Sequence, residues 1–235
     1  MTASQFGKLG GTRTGAVIVA GGSSSRMGGT DKLLAPLAGR PVIAHSIAVF
    51  AGHPAIDELV VVTSAANLAA VRALVAELAP RARVVPGGAR RRDSVRAGLE
   101  ALSDCDYVVV HDAARPLVTA GMIDAALEGA HEAGAALCAV PVTDTVKRSE
   151  PSGRVSSTVT REGLWLAQTP QAFRTELLLR AHRTIGIDVT DDSALIELLG
   201  EPVKLVMGST RNIKITLPED LALARALVAA AGGEA

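Results

Sequence analysis

Apolar runs at 16–20, 58–62, 83–86, 107–111, 135–140, 165–168 and 203–206 alternate with helix-like stretches along most of the chain. Short β-prone runs that alternate with helices are the pattern of a βα-wound parallel sheet, so the expectation is an open, mostly parallel α/β fold. The helices carry their own start signals. Pro41 opens 41–50, and 65–79 is alanine-rich and amphipathic. Asp93 or Ser94 is placed to cap a helix running to Leu102, and Thr119 to cap another through Glu132. Thr190-Asp191-Asp192 precedes the helical stretch Ser193–Leu199, and Pro218-Glu219-Asp220 starts a last helix with acidic residues where its dipole favours them.

Residues 141–163 break this rhythm. They are polar and rich in turn residues and threonine, with β-prone arms on either side of Pro151-Ser152-Gly153. They are expected to form a projecting hairpin, which is not stable by itself and needs a partner surface such as a second subunit, with a mobile surface loop as the alternative. Residues 1–13 lack periodicity and are expected to be a disordered leader, leaving 14–235 as one domain.

Composition narrows the ligand classes. Aromatic residues make up 2% of the chain, so base stacking on Phe or Tyr platforms is not expected. Lys and Arg together number 24, as do Asp and Glu, so no global basic field recruits nucleic acid and any anion must be met by local clusters. Cys105 and Cys138 lack metal-ligand spacing and are expected to be buried thiols. The sequence has neither a signal peptide nor a long apolar span, which argues for a soluble cytoplasmic protein with no membrane partner.

The strongest local cluster follows the first strand: Ala20-Gly21-Gly22-Ser23-Ser24-Ser25-Arg26-Met27-Gly28-Gly29-Thr30-Asp31-Lys32. It matches neither the P-loop nor the dinucleotide glycine pattern. Even so, Ala20, Gly21, Gly22 and Ser23 can offer backbone and hydroxyl donors to phosphate, and Arg26 and Lys32 add positive charge. A flexible glycine-serine turn is the plain alternative. His111-Asp112-Ala113-Ala114-Arg115-Pro116 ends another strand at the same sheet edge. Asp112 suits a ribose hydroxyl or a cation and Arg115 suits a phosphate, unless the two simply pair to hold the turn. His111 has no triad partners and reads as a packing residue. In Gly87-Gly88-Ala89-Arg90-Arg91-Arg92-Asp93-Ser94, the glycines allow a flat base to approach and Ser94 can hydrogen-bond it; at most one of the arginines is expected to serve the site. Arg161 and Lys214 add cations near two further strands.

Taken together with Thr160-Arg161-Glu162-Gly163-Leu164-Trp165, Thr169-Pro170-Gln171, Asn212-Ile213-Lys214 and Pro218-Glu219-Asp220-Leu221, these clusters resemble the 2-C-methyl-D-erythritol 4-phosphate cytidylyltransferase family over about residues 14–230. The resemblance implies an open, mostly parallel sheet of the nucleotidyltransferase (nucleotide-diphospho-sugar transferase, Rossmann-like) type. It also implies a homodimer joined through the hairpin arms. Arg26 and Lys32 would clamp the triphosphate of CTP, while Arg161, from the neighbouring subunit's arm, and Lys214 would position a small phosphorylated polyol. Asp112, Ala113, Arg115, Thr145 and Thr169 would line the substrate site, and Gly88 and Ser94 would meet the base or ribose. Magnesium would be held largely by the CTP phosphates, with no metal site of the protein's own. The front loop departs from the family pattern, since Ser24 stands where a glycine is usual. In this form it equally resembles molybdenum-cofactor guanylyltransferases. Ribitol-5-phosphate cytidylyltransferases and a non-catalytic nucleotide-binding module remain as rival readings.

Overall fold

The computed structural model describes residues 11–21 and 31–232. Strand β1 (Thr14–Ala20) is followed by a small ladder of β2 (Pro36–Leu37) and β3 (Arg40–Pro41), then α1 (Val42–Ala51) and β4 (Glu58–Thr63). A 3-10 turn at Ala65–Asn67 leads into α2 (Leu68–Leu78), β5 (Arg83–Pro86), α3 (Arg91–Ala101) and β6 (Tyr107–Asp112). Next come α4 (Ala120–Ala133), β7 (Ala135–Pro141), β8 (Val146–Ser149), β9 (Val155–Val159) and β10 (Trp165–Arg174). The last elements are α5 (Thr175–Thr184), α6 (Ser193–Leu198), β11 (Lys204–Met207) and α7 (Pro218–Gly232).

Every run expected to be a strand lies in one seven-stranded sheet of order β11-β7-β10-β6-β1-β4-β5. β1 pairs parallel with β4 and β6, β4 with β5, and β11 with β7, whereas β10 runs antiparallel between β6 and β7. The exception follows from the connection. No helix crosses over between β7 and β10, only the hairpin β8–β9, and antiparallel neighbours need no crossover.

Strand alternation sends side chains to opposite faces of the sheet, and each face has its own core. Ala16, Ile18 and Val109 pack with Ile47 and Phe50 of α1, Val71 of α2, Ile123 of α4 and Ala224 of α7. Val17, Val62 and Val110 pack with Val95 and Leu99 of α3, Leu178 of α5 and Ile196 of α6. The result is a three-layer sandwich with a doubly covered sheet.

Thr119 caps α4 as expected, its hydroxyl accepting from the Met122 N–H at 3.4 Å. The start of α3 differs from expectation. The helix begins at Arg91, not after Asp93 or Ser94, and Arg90 is its N-cap. Asp93 acts from inside the first turn, reaching back to accept from the Arg90 N–H at 3.3 Å, as the third helical residue does in a capping box. Ahead of β1, the Arg13 N–H donates to Asp106 Oδ2 at 2.7 Å and its carbonyl accepts from Asp106 and Tyr107, fastening this strand entry.

Gly98 lets α3 sit close on β1. A Cβ there would lie 2.4 and 3.1 Å from the two Val17 methyls, so rotating that valine brings no relief. Gly98→Ala is expected to destabilise the fold by about 1–2 kcal/mol, the overpacking cost outweighing the helix-propensity gain. Urea unfolding of parent and variant checks this; an unchanged or raised midpoint would contradict the packing argument.

Candidate active site

A cleft of about 990 Å³ opens beyond the carboxyl ends of β1, β4, β5 and β6, and its lining runs from Ala20 and Gly21 through Ser64, Gly87 and Gly88 to Asp112. It spans the place where strand order reverses around β1, with β4 on one side and β6 on the other. Open α/β sheets bind ligands at such switch points because the connections diverge there and leave a crevice.

Asp112 ends β6 at the floor of this cleft with 8% exposure. Its Oδ1 lies 3.2 Å from Arg91 Nε and its Oδ2 2.8 Å from Lys214 Nζ. Burial disfavours the charged carboxylate, but Arg91 and Lys214 overcome that and hold it well below the usual carboxylate range. The Arg91 guanidinium, desolvated yet flanked by Asp192 and Asp112, is held above its ordinary value.

A directed chain of hydrogen bonds seats the Asp112 backbone. Its N–H donates to Thr169 Oγ1 at 3.0 Å, and Thr169 Oγ1 is in turn 3.0 Å from His111 Nδ1. His111 Nε2 is 3.1 Å from the Arg115 carbonyl, which can only accept. The proton of His111 is therefore on Nε2, and Nδ1 accepts from the threonine hydroxyl. Burial drives His111 down to about 4, keeping it neutral. As the sequence reading expects, it packs, against Phe50 with ring centroids 5.1 Å apart.

Lys214 is carried by the segment between β11 and α7. The Ile215 N–H donates to the Ala114 carbonyl at 2.8 Å, and buried Asn212 donates to Thr169 O at 2.9 Å and Gln168 Oε1 at 3.2 Å. These bonds fasten the lysine's stem beside Asp112. Lys32 sits on another wall, in a turn where Asp31 Oδ1 accepts from the Leu33 N–H at 2.9 Å. Asn67 Nδ2 donates to the other Asp31 oxygen, tying this turn to the 3-10 segment after β4. Lys32 also acts on Asp220; burial there works against the charge, but the Leu217 and Thr216 N–H groups and Lys32 together lower its pKa.

Ser94 is buried and closes the base of the glycine loop, its Oγ accepting from the Gly88 N–H at 3.2 Å and donating to the Arg90 carbonyl at 3.3 Å. A Cβ on Gly87 would stand 2.7 Å from that oxygen, which explains glycine there.

The structure thus brings Ala20, Gly21, Lys32, Gly88, Ser94, Asp112 and Lys214 to one cleft. Gly22, Ser23 and Arg26 lie outside the described residues. Ala113, Arg115 and Thr169 stand behind the lining. Arg115 does not pair with Asp112 to hold the turn: its Nη1 donates to Asn212 O at 2.8 Å and its Nη2 to Ala167 O at 3.3 Å. Ala113 is buried, its N–H donating to the Val19 carbonyl at 3.0 Å. Thr145 and Arg161 are exposed on the arm, where the Arg161 guanidinium donates to the Thr143 carbonyl. Arg90, Arg91, Asp31, Asn67 and Thr216 line the cleft without having been singled out by sequence, so two of the three adjacent arginines border it where at most one was expected. Cys105 and Cys138 are buried free thiols, and burial pushes Cys138 up to about 12.

No trio of His, Cys, Asp or Glu gathers among the described residues. Asp31 and Asp112 are the carboxylates of the cleft lining. Both oxygens of each are already engaged by protein groups, so the described lining offers no cage for a cation, and magnesium here would keep its waters and take its oxygens largely from a bound phosphate chain.

A family model described as 2-C-methyl-D-erythritol 4-phosphate cytidylyltransferase matches residues 14–230. A protein of that name from Dehalococcoides mccartyi is 47% identical over 92% of this chain and 96% of its own length. Another from Pelotomaculum thermopropionicum is 46% identical over 94% and 96%. Among solved structures, 4-diphosphocytidyl-2C-methyl-D-erythritol synthase from Anaerococcus prevotii superposes with a TM-score of 0.82 at 29% identity, covering 92% of this chain and 98% of that one. The 2-C-methyl-D-erythritol 4-phosphate cytidylyltransferase of Thermus thermophilus gives 0.75 at 35% identity with the same coverage.

The seating of Asp112 makes stability depend on pH. Unfolding returns His111 from about 4 to the ordinary histidine value of 6.5. Between those values the unfolded chain binds a proton that the folded chain does not, so stability rises with pH. It is full above about pH 6.5, and about 3 kcal/mol of it is lost on descending to about pH 4. Urea unfolding across this window checks the sign, and His111→Gln, which keeps a donor and an acceptor, is expected to flatten the slope. Equal slopes in the two proteins would contradict it.

Proposed function

The chain belongs to the 2-C-methyl-D-erythritol 4-phosphate cytidylyltransferase family, and we propose that its cleft transfers CMP from CTP to 2-C-methyl-D-erythritol 4-phosphate, releasing pyrophosphate, as a step of non-mevalonate isoprenoid synthesis. The observation that carries this is the Lys214–Asp112–Arg91 cluster at the strand ends, facing the glycine loop and Lys32 across one cleft. A phosphate oxygen of the acceptor attacks the α-phosphorus of CTP. The new P–O bond forms as the bond from the α-phosphorus to the bridging oxygen breaks, and that oxygen leaves with pyrophosphate.

The attacking monoester is already largely dianionic at neutral pH, its second pKa being about 6, so the reaction needs no general base. His111, neutral and buried away from the cleft, is not asked to supply one. The barrier is the approach of two anions, which repel by roughly 4 kcal/mol per unit-charge pair at ~4 Å and an effective dielectric near 20. Lys32 and Lys214 offset this from fixed positions, and the proposal adds Arg26 from the front loop. Magnesium, when bound, would supply further neutralisation of the phosphate oxygens and would be held largely by the triphosphate itself, since both Asp112 oxygens are taken by Arg91 and Lys214.

We assign Gly88 and Ser94 to the base side, where the loop between β5 and α3 gives close backbone approach. Asp112, Lys214 and the turn behind them face the acceptor. Residues on the arm, Thr145 and Arg161, serve the site of a second subunit in this reading. Support comes from exposed apolar groups on the arm and on the strand that follows it: Val155 of β9 is 62% exposed and Leu166 near the start of β10 57%. A homodimer would cover them. The cytoplasm is the proposed location; among the described residues no helix is long and apolar enough to cross a membrane.

Pyrophosphate release, measured with each nucleoside triphosphate against 2-C-methyl-D-erythritol 4-phosphate, ribitol 5-phosphate and no acceptor, tests the assignment. It is expected only with CTP plus methylerythritol phosphate and magnesium; release with another pair moves the enzyme within the nucleotidyltransferases. Lys32→Ala should lower kcat by about 10² or more, the scale of losing one preorganised charge. Mixing inactive Arg161→Ala and Lys32→Ala subunits should restore part of the activity. Mixed dimers as inactive as their parents would remove the arm from the neighbouring site.

A further inference from the structure

Arg91 bridges two carboxylates that come from distant parts of the chain. Its Nε meets Asp112 Oδ1 at 3.2 Å, and its Nη1 meets Asp192 Oδ2 at 2.8 Å. The Asp192 side chain is 1% exposed, sits just before α6, and is not among the residues lining the cleft. Its other oxygen accepts no hydrogen bond among the described residues and lies 3.6 Å from His182 Nε2. Arg91 is therefore the cation that compensates this buried charge. A lysine could not hold both carboxylates in this way, because the guanidinium offers donors in fixed directions and an ammonium is a point charge.

The geometry sets a division of the Asp112 carboxylate. With Nη1 drawn to Asp192, the guanidinium is turned so that only Nε reaches Asp112, on Oδ1; Nη2 is buried without a hydrogen-bond partner among the described residues, and Oδ2 is met by Lys214 Nζ at 2.8 Å. Released from Asp192, the guanidinium would be free to turn Nε and Nη2 together onto the two Asp112 oxygens, the arrangement such pairs favour. Lys214 would then share its anchoring oxygen with Nη2 and be held less tightly. We propose that Asp192 and Arg91 are positioning residues for the transfer reaction: Asp192 restrains Arg91 so that Asp112 can hold the Lys214 ammonium at the cleft. The inference rests on the proposed transfer for its kinetic consequence, while the arrangement of charges stands independently of it.

The test has one arm that needs no turnover. Full-length parent, Asp192→Asn and Arg91→Gln proteins are treated with limiting acetic anhydride, and acetylation of Lys214 is read by mass spectrometry against the remote Lys147 and Lys204. An ammonium freed from its carboxylate acetylates faster. Asp192→Asn is expected to raise Lys214 labelling about threefold or more with Lys147 and Lys204 unchanged, and to lower kcat/KM for the acceptor about tenfold. Arg91→Gln removes the competitor, so it is expected to hold Lys214 labelling at or below the parent's while still lowering kcat/KM. Asp192→Glu should recover most of the activity. Unchanged Lys214 labelling in folded Asp192→Asn overturns the inference, as does a rise in Arg91→Gln, since simple loosening raises both. If one variant does not fold, the other decides alone. A parent that releases no pyrophosphate counts against the transfer reading, and the labelling arm still judges the relay.

Discussion

A carboxylate at the carboxyl end of a central strand, nearly closed off from water, is the constraint around which this site is built. An isolated charge in such a place would cost several kcal/mol and would take up a proton instead. Asp112 avoids that because cations arrive from two directions: Arg91 from the first residue of α3 and Lys214 from the segment between β11 and α7. Meeting one buried charge thus fixes the relative placement of a strand, a helix start and a loop from widely separated parts of the sequence. In the proposed reaction the same atoms would serve a bound polyanion, since Arg91 and Lys214, gathered for the carboxylate, also line the cleft.

The antiparallel β10 is the other organising device. It returns beside β6 after the arm and delivers Thr169 to the Asp112 backbone, with Asn212 bonded to the Thr169 carbonyl from the far side. A parallel strand would have required a crossover helix in place of the arm. The projecting hairpin and the seating of the floor carboxylate are therefore two consequences of one topological choice. The arm's exposed side chains are what that choice leaves for another surface.

The central strands β1, β4, β6 and β7 were legible because buried strands show as nearly unbroken apolar runs, and the shorter runs that became β5, β10 and β11 joined the same sheet. What was not legible is the fate of residues alike in sequence. Arg90, Arg91 and Arg92 are adjacent, yet Arg90 pairs with Asp93 at the rim, Arg91 bridges Asp112 and Asp192, and Arg92 is buried, donating to the carbonyls of His182, Ile185 and Ile187. Helical geometry turns successive residues by about 100°, so neighbours in a helix's first turn face different surroundings. Which arginine meets which acid depends on where α6 docks, and no local pattern records that. Arg115 is the reverse case: its motif was conspicuous, but the carbonyls of Ala167 and Asn212 claim its guanidinium behind the cleft.

In the proposed transfer, which needs no general base, the site has to do its work with charges that are already in place. For two anions to meet, the cations must not reorganise during the approach, because moving solvent or side chains at that moment returns the barrier they were meant to remove. Exposed lysines on mobile stems would satisfy the charge balance and fail this requirement. Here Lys214 is held at its ammonium by Asp112 and at its backbone neighbours by Asn212 and Ile215, while the turn carrying Lys32 is held by Asp31 and Asn67. The buried polar network is therefore better understood as fixing positions than as adding stability. Replacing it with apolar groups could leave the sheet folded, but the cations would then face the phosphates without a defined place.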